Sequence, residues 1–378
     1  MDASHHHSGQ HEAQLTIVMS RQTGLLGQLV AFLGRQHVTF AKQRTTDTGA
    51  SDHVIVTLTV MIEPQRLPEL ALALEAIDGV LKVEAQPIDV TAPVKVSLPM
   101  SPTEALNQNL TSSISLQGEE LVEALCSHIE TVIGKFYHLD TQQFAYESWA
   151  TSDPDIADHC RLLGALKKTD LSLLNAHSVR LAFWLNVFNL LCLHGIVAHQ
   201  LKSSLRDVKD FFNRTGYIIG GFTLTLDDIE HGILRGNARK FWGLSNTFSQ
   251  TDKRSALSLS QLEPRVHFAF YSGCISSPRL RAYHSAHIDE QLRHATRDYL
   301  AQHVTLNEDG TTCRIPQIFR WYNKDFGSNQ DILTFIADHL DESHPGSHAG
   351  QDAHARSLTY VDFDWSINAT LYRPSVPV

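Results

Sequence analysis

The chain has 378 residues, more than one hydrophobic core usually organises, so two domains are expected. A hydrophobic fraction of 42% is ordinary for a globular protein and argues against disorder. The net charge of -10, with no Lys/Arg run, leaves no basic face for a phosphate backbone, so no nucleic-acid partner is expected.

The first residues carry His5, His6, His7 and His11 but no basic stretch followed by an apolar one, so no secretory leader is expected. The richest apolar run, residues 181–198, is interrupted by Asn186, Asn189 and His194, so no membrane span is expected either. Five dispersed cysteines, Cys126, Cys160, Cys192, Cys274 and Cys313, show no CxxC spacing. They point to reduced thiols and a cytoplasmic location.

In chain order, residues 14–20 form a β-branched run suited to a strand. A helix follows, with Leu25, Leu26, Leu29, Val30 and Leu33 near the i, i+3, i+4 pattern. Residues 38–46 and 53–61 read as strands around a turn at 47–50, residues 67–76 as a helix, and 80–85 as a closing strand after Asp78-Gly79. This βαββαβ order is that of a ferredoxin-like unit. With Thr23, Gly24, Leu25 and Leu26 at the first strand–helix junction, residues 13–86 resemble an ACT domain. The resemblance implies a small effector, such as an amino acid, held near those four residues, and a homodimer formed through this domain. A glycine turn there bares N–H groups that suit a carboxylate. A fold that only dimerises through its sheet is the competing reading.

Residues 87–117, rich in Pro, Ser and Thr, read as a linker. Residues 118–378 are expected to form a larger mixed α+β domain, making the whole chain α+β. Helical periodicity returns over 118–136 with Leu121, Leu125, Ile129 and Ile133, and again over 155–166 and 170–175. Residues 176–199 are an almost wholly apolar, hence buried, helix with Asn186 and Asn189 three apart. Buried amides need partners. Those partners are either a substrate or neighbouring loops. Gly220-Gly221 predicts a hairpin turn, and Thr225 or Asp227 caps a helix carrying Glu230 and His231. Residues 266–271 read as a buried strand that breaks into Ser272-Gly273-Cys274-Ile275-Ser276-Ser277-Pro278, a loop suited to chemistry.

Several of these segments resemble the family catalogued as domain of unknown function 547. They are residues 182–189, 226–235 and 264–269, Ser277-Pro278, the run Phe319-x-Trp321-Tyr322-x-x-Asp325-Phe326, and residues 362–368. Relatives carry two cysteines where this chain has Ser272 and Ser277, with Cys274 two residues after the first. The nucleophile is then lost, moved to Cys274, or replaced by a serine hydroxyl.

The expected chemistry is hydrolysis or transfer at an amide-type bond. Cys274 or Ser272 would be the nucleophile, His231 or His267 the base, and Glu230 or Asp228 its orienter. Asn186, Asn189, Ser276 and Arg281 would contact substrate. Glu230 and His231 are adjacent, so on a helix they diverge by about 100°. One serves the site while the other braces Arg235 or a loop. The alternative is a non-catalytic small-molecule receptor on an enzyme-like frame. His5, His6, His7 and His11, or His344, His348 and His354, offer adventitious metal contacts, but no spacing demands a metal, and no cofactor is expected.

Overall fold

The computed structural model describes residues 11–22, 24–36, 38–47, 53–87, 105–239, 245–350 and 356–370. The expected turn at 48–50, Thr23, His5, His6, His7, His354 and the linker stretch 88–104 lie outside them. The chain is a mixed α+β protein and divides into two compact units, residues 1–92 and 93–378.

The smaller unit runs β1 (His11–Ser20), α1 (Leu25–Arg35), β2 (Thr39–Asp47), β3 (His53–Ile62), α2 (Leu67–Glu75) and β4 (Val80–Pro87). Its antiparallel sheet has the order β2-β3-β1-β4. Alternation places Leu15, Ile17 and Met19 of β1 and Val56, Leu58 and Val60 of β3 on one buried face. Against them pack Leu25, Leu29 and Leu33, four apart on α1, and Leu67, Leu70 and Leu74 on α2. Each of these leucines removes from water a side chain worth about 1.5–3 kcal/mol.

The larger unit begins earlier than its first helix. Residues 105–117, expected as linker, pack onto it: buried Asn107 donates from Nδ2 to Leu163 O and Ile218 O, and accepts from Ile218 N. The helices α3 (Gly118–Phe136), α4 (Tyr146–Ala150), α5 (Asp153–Leu166) and α6 (His177–Ala198) follow, with the short pair β5 (Tyr137–His138) and β6 (Gln143–Phe144) after α3. Next come α7 (Phe211–Arg214) and the hairpin β7 (Gly216–Ile219), β8 (Phe222–Thr225). Gly220 and Gly221 turn it at φ 55° and 84°, values that favour glycine.

By length and composition α6 could cross a bilayer, which the sequence reading did not expect, yet 94% of its most apolar stretch is buried in the unit. Apolar on all sides, it forms the centre of the main core. Beyond it lie α8 (Ile288–His303), β9 (Thr305–Leu306), β10 (Thr312–Pro316), α9 (Ile318–Trp321), α10 (Asn323–Phe326), α11 (Asn329–His339) and β11 (Ser357–Val361). They enclose a second core around Phe268, Phe319 and Phe326.

Two local expectations fail for physical reasons. The strand expected at 266–271 is instead a 3-10 turn, Pro264–Phe268, because Pro264 fixes the first helical position and the Glu263 carboxylate caps Arg265 N at 3.1 Å. A short buried apolar run cannot distinguish strand from helix by period. The helix expected at 170–175 shrinks to the 3-10 turn Leu171–Leu173. The turn at 264–268 matters for function because Val266 belongs to the first core and Phe268 to the second, leaving His267 between them.

Candidate functional site

The site lies where three segments meet. The first is a π-helical turn, Asp228–Leu234, opened by a reciprocal pair: Thr225 Oγ1 accepts from Asp228 N and Asp228 Oδ2 from Thr225 N, both at 3.1 Å. That pairing uses up Asp228, which also binds Arg254 at 3.1 Å and so orients no histidine. The second segment is the Pro264–Phe268 turn, and the third is α10 with the Tyr322 that precedes it.

Asp325 is the hub. Its Oδ2 accepts from Arg235 Nε at 2.6 Å and contacts His267 Nε2 at 2.9 Å, while Oδ1 accepts from Arg235 Nη2 at 2.8 Å. Burial would raise the Asp325 carboxyl, but His267 and Arg235 hold it down to about 2. An ionised carboxylate can only accept, so the proton of neutral His267 sits on Nε2. Burial pushes the imidazole below its ordinary value against the pull of Asp325, which keeps it neutral. Nδ1 is then a bare acceptor, and it has no partner among the described residues.

Tyr322 stacks on His267, with centroids 3.9 Å apart and planes at 24°, and the Arg235 guanidinium lies 4.9 Å from the Tyr322 ring centre. The Tyr322 hydroxyl donates to Glu230 Oε1 at 2.5 Å, and burial raises the Glu230 carboxyl towards its protonated form. His231 turns away. Its Nδ1 accepts from Arg235 Nη1 at 2.7 Å, and burial, with Arg235 adding, lowers it to about 3.

Glu230, His267, Ser272 and Tyr322 line one cavity of about 60 Å³, walled by Phe188, Phe212, Phe270, Trp321, Phe363 and Trp365. Ser272 Oγ, like His267 Nδ1, is buried without a partner among the described residues. A larger cavity of about 530 Å³ lies beside Tyr146 and Ile196, but its charged groups, Glu147 and Lys202, pair with each other at 2.7 Å.

The remaining expected residues have other work. Cys274 is buried, its Sγ lies 3.5 Å from Trp365 O and 3.7 Å from Ser272 O, and burial raises the thiol to about 12. It lines no part of the cavity and meets no imidazole among the described residues, so its surroundings are those of a core thiol. Asn186 donates to Tyr283 O at 2.8 Å and accepts from Tyr283 N at 2.9 Å. Asn189 donates to Ala269 O and Arg281 O and accepts from Tyr271 N. Both amides tie α6 to the 269–283 loop. Ser276 Oγ accepts from Asp364 N at 2.9 Å, and Arg281 pairs with Asp298 at 2.5 Å; neither faces the cavity. Ser277 Oγ accepts from Ser272 N at 2.8 Å and so fixes the loop that carries Ser272.

In the smaller unit Gly24 is exposed at φ 90° before α1, but the Leu25 side chain is buried in the core and Leu26 packs against it. Sequence reasoning gave no role to Asp325 or Tyr322, although both stand in a run it had singled out.

Residues 171–300 match the family model described as "Protein of unknown function, DUF547". The match includes the π-helical turn, His267 and Ser272, and ends before Tyr322 and Asp325. No curated protein matches the chain. Among solved structures, the chain is similar to the ACT domain from the GTP pyrophosphokinase of Chlorobium tepidum, at 17% identity over 20% of this chain and 97% of that one, with a TM-score of 0.18. The C-terminal domain of the MgtC protein from Mycobacterium tuberculosis is similar at 18% identity over 22% of this chain and 93% of its own, with a TM-score of 0.19. Neither likeness carries weight for this chain's fold or function.

Proposed function

We propose that the larger unit is a hydrolase or transferase of amide- or ester-type bonds that uses Ser272 as its nucleophile. The supporting observation is the pair of partnerless buried atoms, His267 Nδ1 and Ser272 Oγ, on one cavity, with Asp325 fixing the imidazole tautomer. The two atoms do not bond each other, so in this reading a bound substrate or water closes the gap, and His267 Nδ1 takes the hydroxyl proton as Ser272 Oγ attacks the carbonyl carbon. The same proton passes to the departing amine or alkoxide, and water or a second acceptor releases the acyl group. Asp325 stabilises the imidazolium in between, and Glu230, biased towards its acid form, lies where it can donate to the substrate.

The smaller unit is an ACT-like, ferredoxin-like effector domain in this reading, supported by its βαββαβ order and the left-handed Gly24 at the head of α1. A small amino acid as effector, a homodimer through this unit and a cytoplasmic setting complete the proposal. The small, largely aromatic cavity favours the second reading, a receptor that closes around a ligand without reacting.

A fluorophosphonate probe, which reports an activated serine without a known substrate, separates the two. Mass spectrometry is expected to find one adduct on Ser272, retained in Cys274→Ala and lost in Ser272→Ala and His267→Gln. An unlabelled folded wild type, or an adduct that survives His267→Gln, would refute the catalytic reading.

A further inference from the structure

Away from that cavity, on the outer face of α3, a second group of side chains converges. Glu123 and Cys126 stand three apart on one helix face, and His284 reaches them from the loop that α6 ties down. One ligand atom from each lies within 4.8 Å of the other two. The thiol is fully buried, whereas the Glu123 side chain is half exposed, so the cluster has a floor and an open mouth.

We propose that Glu123, Cys126 and His284 form a zinc site. The donor set is the first argument. A thiolate, an imidazole and a carboxylate are the ligands zinc takes, and three protein ligands leave a fourth position for water. The outer groups are the second, independent argument. A metal-binding imidazole characteristically donates its other N–H to a carboxylate. His284 has that arrangement: Nδ1 faces Glu123 Oε2 and Nε2 faces Glu130 Oε1, each at 2.9 Å. Glu130 stands four residues after Cys126 on α3, placed to orient the ring while Nδ1 serves the metal. The sulfur has an outer partner too, because Asn186 Nδ2 donates to Cys126 Sγ at 3.2 Å. A buried amide from the central helix thus supports the buried thiol at the floor of the site.

The charges balance. Glu123 and the Cys126 thiolate neutralise the dication, with His284 neutral. Binding releases the Cys126 thiol proton, now directed at Tyr283 O 2.9 Å away, and the proton held between His284 Nδ1 and Glu123. Zinc needs about 2.0–2.3 Å to each donor, so the cluster contracts by a movement that the half-exposed Glu123 chain can supply.

Cobalt(II) is the probe, added to the full chain after chelation and reduction, because only a cysteine ligand gives a thiolate-to-cobalt band in the near ultraviolet. Metal held by the histidines near residues 5–11 stays silent in that band. One equivalent is expected to raise it, with zinc displacing cobalt. Cys126→Ser should abolish it, and the surface variants Glu123→Ala and Glu130→Gln should weaken cobalt binding at least tenfold. No band at excess cobalt, a band undiminished in Cys126→Ser, or unchanged affinity in both glutamate variants would overturn the site.

Discussion

Acidification should unfold the larger unit through its buried histidines, well above the range where carboxylates titrate. His194 is 3% exposed, burial lowers it to about 3, and His231, lowered mainly by burial and then by Arg235, also lies at about 3. In the unfolded chain each titrates near its ordinary 6.5. The sign follows: below pH 6.5 the unfolded state binds these protons and the folded state does not, so stability falls with pH. From pH 7 to pH 5 each histidine costs about 2 kcal/mol, from 1.36 kcal/mol per unit over 1.5 units. Together they cost about 4 kcal/mol, a large part of a typical 5–15 kcal/mol. His159 and His267 shift the same way and Glu230 the opposite way, so the sum is conservative. Urea unfolding followed by tryptophan fluorescence isolates the larger unit, since all five tryptophans lie beyond residue 140. Stability should fall by about 2.7 kcal/mol per pH unit below pH 6, the slope of two protons. His194→Gln should remove one proton from that slope. A profile flat to pH 5, with loss only below pH 4, would refute the reasoning.

Two further outcomes rest on packing. Asp325→Leu strands the buried Arg235 guanidinium and should cost about 3–5 kcal/mol in the same urea assay, with a second change, Arg235→Met, restoring at least half; a single variant as stable as wild type would remove the pair from any structural role. Gly273→Ala places a Cβ against Ile196 Cδ1 and Tyr146 Oη at φ 69°, an expected loss of about 2–4 kcal/mol that Ile196→Val should partly relieve.

Periodicity made the elements legible where a single face decides. Leu121, Leu125 and Ile129 mark α3, and Leu25, Leu29 and Leu33 mark α1, because burial of one stripe repeats along the helix. The Gly220-Gly221 turn was legible because few residues other than glycine accept its backbone angles. The site was legible only as a residue supply. His267 and Asp325 lie 58 positions apart, and no local pattern joins them. The choice between Cys274 and Ser272 was hidden for a different reason. Two residues apart across Gly273, which adopts φ 69°, they no longer follow strand alternation, and the thiol turns to Trp365 O while the hydroxyl meets the cavity. Asn186 and Asn189 illustrate another limit, since a buried amide reads the same in sequence whether it holds a ligand or a loop.

The π-helical turn explains how Glu230 and His231, neighbours that diverge on a regular helix, serve one network. Arg235 N donates to Glu230 O, five residues back, closing the wide turn, and the Arg235 side chain donates to His231 Nδ1, which braces it. From Arg235 the contacts run to Asp325, then His267, then by stacking to Tyr322, and by its hydroxyl to Glu230. The ring closes on the turn where it began. Within it the ionised Asp325 faces Arg235, and burial holds His231 and His267 below their ordinary values. A paired carboxylate and guanidinium can be buried without the full penalty of an isolated ion. The network also has a single soft point: a proton arriving at His267 Nδ1 makes an imidazolium beside a carboxylate already in place. In the proposed reading that atom is the general base, and Asp325, already ionised beside the ring, offsets part of the burial that disfavours the imidazolium.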